Sequence, residues 1–222
     1  LAALIYVIVT ATGISAAIRR ALPAVAAVIA AVAYVTHETT LDGTTVTRAR
    51  SFYGTYAVRD ADGVRRLVAG THVHGEQFLD SAREHVPIAY YHDATGAADL
   101  FRLMSPERVA FVGLGIGSLI EFGNAATRFD IYELDPLVVR LAREHFTVLG
   151  ESPARIEYFI GDARLRLREA AGSYDLVVMD AFTSGSIPTH LVTVEAVGEL
   201  LAQLTAGGAI AYHISNHHLD LL

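Results

Sequence analysis

Three carboxylates stand where β-like runs end: Glu133 closes 128–133, Asp162 follows 155–160, and Asp180 closes 174–180. Ahead of them the apolar run Val109–Val112 drops into Gly113-x-Gly115-x-Gly117. A glycine-rich strand-to-helix turn lets main chain approach a ligand closely. An acid about 20 residues further on, at the tip of the next strand, can accept both ribose hydroxyls. Gly113, Gly115, Gly117 and Glu133 therefore read as one wall of a nucleoside pocket, a plain surface acid being the other reading of Glu133. Asp162, within Gly161-Asp162-Ala163, is placed to accept the adenine amino group, a role compatible with capping the helix that follows. Asp180 opens the loop Ala181–Pro188 and would face a ligand bound at the strand ends, so chemistry is assigned to it ahead of a capping role. Asp135 reads as the N-cap of a helix that begins at Pro136. Asp175, at the start of its run, reads as structural.

These residues converge only if the runs are parallel strands. The pattern predicts strands at 108–113, 128–133, 155–160, 174–180 and 208–214, and helices at 117–125, 136–147, 163–171 and 190–204. Gly207-Gly208 reads as a helix stop. Strand–helix alternation with buried, β-branched strands means an α/β, Rossmann-like, doubly wound parallel sheet of the methyltransferase kind. A polar linker, His37–Thr47, and a small antiparallel β-sheet precede it, with runs at Phe52–Val58 and Arg65–Val73 and a turn at Asp60–Gly63. Glu76–Leu103 is mixed and helical in part. The resulting division is an apolar helical segment at 1–36, the small sheet at 45–80 and the nucleoside-binding domain at 81–222, with the sheet's last strands expected to be missing.

Bulk properties narrow the chemistry. The chain has 222 residues and a formal net charge of −7, which argues against nucleic acid as a partner. It has no cysteine, so no disulfide, thiolate metal site or cysteine nucleophile. Its mean hydropathy of +0.37 comes largely from the start, where Leu1–Ile18 and Ala21–Val35 are apolar around Arg19-Arg20. A bilayer-spanning helix needs about 20 such residues. The segment is expected to be a membrane hairpin or the tail of a membrane domain, with a pair of buried core helices as the alternative. Arg19 and Arg20 on one side and Arg48 and Arg50 on the other give no orientation. Leu1 instead of Met suggests a piece of a longer chain. His72-x-His74, His213 and His217-His218 lack a matching carboxylate pattern, so these histidines read as solvated or hydrogen-bonded, with no metal bound. Ser118, Ser184 and Ser186 have no nucleophile-elbow setting, which sets hydrolase chemistry aside.

Together these motifs resemble the spermidine synthase (aminopropyltransferase) family, in particular the branch fused behind a multi-pass membrane domain. Ser51-Phe52-Tyr53 is similar to the family's S-x-Y strand and Tyr91-His92-Asp93 to its Y-H-E segment. Gly113–Ser118 resembles its glycine loop, and Tyr132–Asp135 its ribose-binding E-I-D. Gly161-Asp162-Ala163 resembles the adenine-contacting G-D-A, and Asp180 the catalytic acid of the D-x-x-D loop. The resemblance implies a donor that is decarboxylated S-adenosylmethionine or S-adenosylmethionine itself, used as a substrate, and a small-molecule amine acceptor. It implies a reaction without metal, and a homodimer. It also implies a membrane-associated chain with its catalytic domain in the cytoplasm. Asp180 would then act on the acceptor's proton, with Tyr91 and His92 lining the acceptor side. The chain departs from the pattern where amines are held: Ile116 stands in place of an acid, Thr183 in place of the second loop acid, and Gly54 and His74 in place of glutamines. An S-adenosylmethionine-dependent methyltransferase and a non-catalytic nucleoside-binding regulatory domain are the alternatives. NAD-dependent oxidoreduction fits less well, because the third glycine is wrongly spaced.

Overall fold

The structure, a computed structural model, describes residues 16–39, 43–169, 173–182 and 187–214. The chain divides into two units that part between Gly43 and Thr44. The first contains helix α1, Ala16–Thr39, with Pro23 inside it and with Val25, Val28, Ile29 and Val32 exposed. No helix among the described residues is long and apolar enough to cross a membrane. Most of the first apolar run lies outside the described residues, as do Thr183, Ser184, Ser186, His217 and His218.

The second unit starts with a four-stranded antiparallel meander. Its strands are β1 (Thr44–Arg50), β2 (Thr55–Ala61), β3 (Val64–Ala69) and β4 (His72–Phe78), in that spatial order. Asp62-Gly63 joins β2 to β3 with both residues at positive φ, 51° and 74°, the geometry of a two-residue hairpin whose twist matches its strands. The linker expected up to Thr47 is strand from Thr44 on, because its threonines and Val46 run alongside β2. Conversely Phe52 and Tyr53 are not strand. They sit in the bend between β1 and β2, 96% and 51% exposed.

Helix α2 (Gly96–Met104) leads into the parallel sheet. There follow β5 (Arg108–Val112), β6 (Arg128–Glu133), helices α3 (Pro136–His145) and α4 (Val148–Glu151), β7 (Arg155–Ile160), α5 (Ala163–Glu169), β8 (Tyr174–Met179), α6 (Val194–Leu201) and β9 (Leu204–Tyr212). All five strands are parallel, in the order β7-β6-β5-β8-β9. Strand order therefore reverses between β5 and β8, and a crevice opens at the carboxyl ends of strands at such a switch point. Alternate residues of the central strands feed two cores. Val109, Phe111, Leu176 and Val178 face one, and Ala110, Val112, Val177 and Met179 face the other. Such two-sided burial is why these runs are continuously apolar.

Three expected elements shift. The helix expected at 117–125 is a short 3₁₀ segment, Ser118–Phe122, since Gly117 at φ 89° and Gly123 close it off at both ends. The helix expected from 190 is a 3₁₀ turn, Thr189–Leu191, followed by α6, which starts when Thr193 caps Ala196. Gly207-Gly208 lies inside β9 and stops no helix; a Cβ on Gly208 would come within 2.8 Å of the Tyr174 carbonyl on the neighbouring strand. Asp175 is structural as expected, accepting the N–H groups of Glu107 and Arg108.

His85 ties the loop after β4 to the sheet domain. Its Nδ1 is 3.2 Å from Glu121 and its Nε2 2.9 Å from Glu151. Chiefly the bond to Glu121 holds its pKa above the ordinary histidine value. A histidine raised in the folded state stabilises the fold fully below its unfolded pKa of about 6.5, and that contribution is lost as pH rises through the folded value. The melting temperature of the wild type should therefore fall more steeply across pH about 6 to 9 than that of His85→Gln. Equal slopes in a thermal-melt series would contradict this.

Candidate functional site

The strand ends bring the predicted carboxylates to one edge of the sheet, each committed to particular partners. Asp180 follows β8 at the switch point. Its Oδ2 accepts the Tyr91 hydroxyl at 2.6 Å, and its Oδ1 lies 2.5 Å from Nδ1 of His213. Its side chain is only 9% exposed. Tyr91 comes from the 3₁₀ turn Ala89–Tyr91 and is buried. Burial, followed by the Asp180 charge and hydrogen bond, pushes its phenol well above the ordinary range, so it donates to the carboxylate as a neutral hydroxyl. His213 directly follows β9, and its N–H pairs with the Met179 carbonyl, which places the imidazole beside Asp180. Its ring lies against Tyr90 with centroids 4.7 Å apart, and Phe182 meets it edge-on at 5.0 Å.

The glycine loop is shaped by the protein as much as by any ligand. Gly113, at φ 86°, lies so close to β8 that a Cβ would come 2.5 Å from the Asp180 carbonyl oxygen. Gly115, at φ 56°, leaves room for β4: a Cβ there would come 2.1 Å from the His74 carbonyl. Ile116, in the place of the expected acid, is 1% exposed. It packs under Gly75, and a Cβ on Gly75 would meet its Cγ1 at 2.6 Å. An unpaired carboxylate in that position would lose its hydration without compensation, so the substitution and the docking of the small sheet belong together.

Glu133 ends β6 and turns onto the glycine loop. Its two oxygens accept the N–H groups of Leu114 and Asp135, both at 2.9 Å. Burial raises its pKa, partly offset by those main-chain N–H bonds. Each carboxylate oxygen can accept more than one hydrogen bond, so ribose hydroxyls could share them. Asp135 caps α3 as expected, accepting the Leu137 N–H at 2.9 Å. It also accepts the Ser51 hydroxyl and a hydrogen bond from Tyr56, so the bend after β1 is pinned to the start of α3. Asp162 accepts the Leu165 N–H at 3.1 Å as a helix cap, and its other oxygen lies 2.9 Å from His190 Nε2. A base reaching Asp162 must share that oxygen with His190. Ala163 is buried at the start of α5. Replacing Glu133 with Ala would strand two buried N–H donors, each costing about 1–3 kcal/mol. The melting temperature of Glu133→Ala should drop clearly below that of the wild type, whereas an unchanged melt would show that these bonds carry no weight.

The structure does not bring His92 to this group. It is exposed, and its Nδ1 accepts the Ala94 N–H at 3.1 Å. The residue that reaches Asp180 is His213, one of the histidines expected to be solvated or hydrogen-bonded and given no place in the site. Its signal was its position at the tip of the fifth parallel strand, beside an acid at the tip of the fourth. His74 also belongs here: burial, then His72, lowers its pKa, while the Asp180 charge opposes the shift. Glu84, His85 and Glu151 bring potential metal-ligand atoms within 4.8 Å of one another, but they belong to the loop contact with α4 and not to the strand ends.

No family model matches the chain. A polyamine aminopropyltransferase of Vibrio vulnificus is 34% identical over 112 residues, covering 47% of this chain and 36% of that protein. A probable spermidine synthase from Corynebacterium glutamicum superposes with a TM-score of 0.61 at 20% identity, over 77% of this chain and 63% of that one. A spermidine synthase in complex with the transition state analogue AdoDATO gives 0.58 at 16% identity, over 76% and 57%. The chain thus spans little more than a third of the Vibrio protein and under two thirds of either solved structure. The small antiparallel sheet followed by a five-stranded parallel sheet is the fold these structures share with the chain.

Proposed function

We propose that this chain transfers a carbon group from an adenosyl sulfonium to an amine, the aminopropyl group of decarboxylated S-adenosylmethionine being the first candidate. One observation carries this reading: Asp180 stands at the switch point against the glycine loop, held by Tyr91 and His213. The acceptor amine attacks the carbon next to sulfur, the C–S bond breaks with its electron pair going to sulfur, and methylthioadenosine leaves. A sulfonium is already a good leaving group. The protein's tasks are to align the two partners and to manage the amine's proton. Asp180 with Tyr91 serves the proton side, while Gly113, Gly115, Gly117, Glu133 and Asp162 serve the nucleoside side. The similarity to the Vibrio aminopropyltransferase supports this assignment.

Ile116 favours a second reading. With the donor-side acid replaced by a buried apolar residue, nothing at that position calls for a decarboxylated donor, and methyl transfer from intact S-adenosylmethionine becomes the competitor. Incubating the protein with each donor and a panel of small amines separates the two. Methylthioadenosine as the nucleoside product supports aminopropyl transfer, S-adenosylhomocysteine supports methyl transfer, and neither product with any pair would contradict both. Sulfonium nucleosides are cytosolic, which supports a cytoplasmic catalytic unit; the apolar N-terminal sequence supports attachment to a membrane.

A further inference from the structure

We infer that His213 is a catalytic base: its Nε2 takes the acceptor's proton, and Asp180 with Tyr91 orients its ring. This rests on the group-transfer reading above and changes where the proton goes. An ionised carboxylate only accepts hydrogen bonds. With Asp180 Oδ1 2.5 Å from Nδ1, that nitrogen is the donor, so a neutral His213 carries its lone pair on Nε2. Both Asp180 oxygens already have protein partners, Tyr91 on one and His213 on the other. The imidazole packs against Tyr90 and Phe182 and is still 29% exposed at its side chain. A base held by an acid behind it, with no hydrogen-bond partner on its second nitrogen among the described residues, is the arrangement that general-base histidines use.

The step balances. The amine's lone pair forms the new C–N bond, and the C–S pair passes to sulfur. The proton shed by the resulting ammonium goes to Nε2, and the imidazolium formed is neutralised by Asp180. His213, its side chain part-exposed, returns the proton to water. The other titratable groups packed here lack the contact with Asp180 that His213 makes or are held as neutral phenols: burial raises Tyr90 and Tyr91, and His74 has no hydrogen bond to Asp180 among the described residues. Glu76, whose charge reaches Tyr90, is paired with Arg66.

Two measurements on the full chain test this. The first is the ¹⁵N spectrum of the His213 ring, which needs no turnover. At pH about 8 the neutral ring should carry its proton on Nδ1, and an Nε2–H tautomer would overturn the assignment. The second is kinetic. His213→Asn keeps an N–H donor towards Asp180 but has no base; it should lower kcat at least about 100-fold, leave donor KM unchanged and remove the acidic limb of the kcat–pH profile. His213→Gly should regain turnover with added imidazole. An Asn variant within about threefold of wild type, its acidic limb intact, would overturn the proposal, since general-base help is worth about 100-fold or more. Wild-type protein inactive with every donor and acceptor would instead sink the group-transfer reading, while the ring tautomer still decides the pairing with Asp180.

Discussion

Asp180→Asn should cut turnover at least about 100-fold while leaving nucleoside affinity within about twofold of the wild type. The size follows from what a positioned proton-handling group contributes to a reaction of this kind. The selectivity follows from geometry. Asp180 bonds Tyr91 and His213, whereas the residues proposed for the nucleoside side follow β5, end β6 and open α5. An Asn side chain can still accept from Tyr91, so the fold should survive; what is lost is the charge that fixes and balances the imidazole. Single-turnover rates and a donor titration measure the two quantities separately. A fall in affinity as large as the fall in rate would mean that Asp180 binds the donor and does not serve the acceptor.

Gly115→Ala should be among the most damaging single substitutions in the molecule. Its Cβ would come 2.1 Å from the His74 carbonyl oxygen, and the backbone there sits at φ 56°. Both atoms in conflict belong to chain that cannot rotate away. Overpacking costs about 1–3 kcal/mol, and the left-handed backbone adds about 1–2 kcal/mol for a residue with a Cβ. At about 2–4 °C per kcal/mol for a unit of this size, the melting temperature should fall by about 4–20 °C. Nucleoside affinity should fall with it, because β4 and the loop must separate. A variant that melts within about 2 °C of wild type would show that β4 does not press on the loop as described.

The fold was legible because its central strands are buried on both faces. Continuous apolar runs such as Val109–Val112 leave few alternatives to a parallel sheet. Pro136 behind Asp135 marked a helix start that the structure reproduces in detail. The small sheet was blurred because its first strand is largely exposed and threonine-rich, and only pairing with β2 reveals it. Position along the chain singles out Asp180 and Tyr91 separately, and the structure brings them into contact, but that contact spans 89 residues and no local pattern encodes it. His92 seemed its equal because it is adjacent to Tyr91 in sequence. Tyr91 ends the 3₁₀ turn buried with its hydroxyl on Asp180, whereas His92, the residue after the turn, is exposed. His213 was passed over for the opposite reason, lying far from every motif yet one strand away from Asp180. The glycines were assigned to ligand approach, whereas two of them are required by protein main chain, that of Asp180 and of His74.

The most direct test is calorimetry of the full chain with S-adenosylmethionine, its decarboxylated form and methylthioadenosine, using NAD as the control. At least one of the sulfur nucleosides should bind with micromolar affinity and NAD should not. Failure of all three to bind at millimolar concentration, or tighter binding of NAD, would contradict an adenosyl-sulfur site at the tips of β5, β6 and β8.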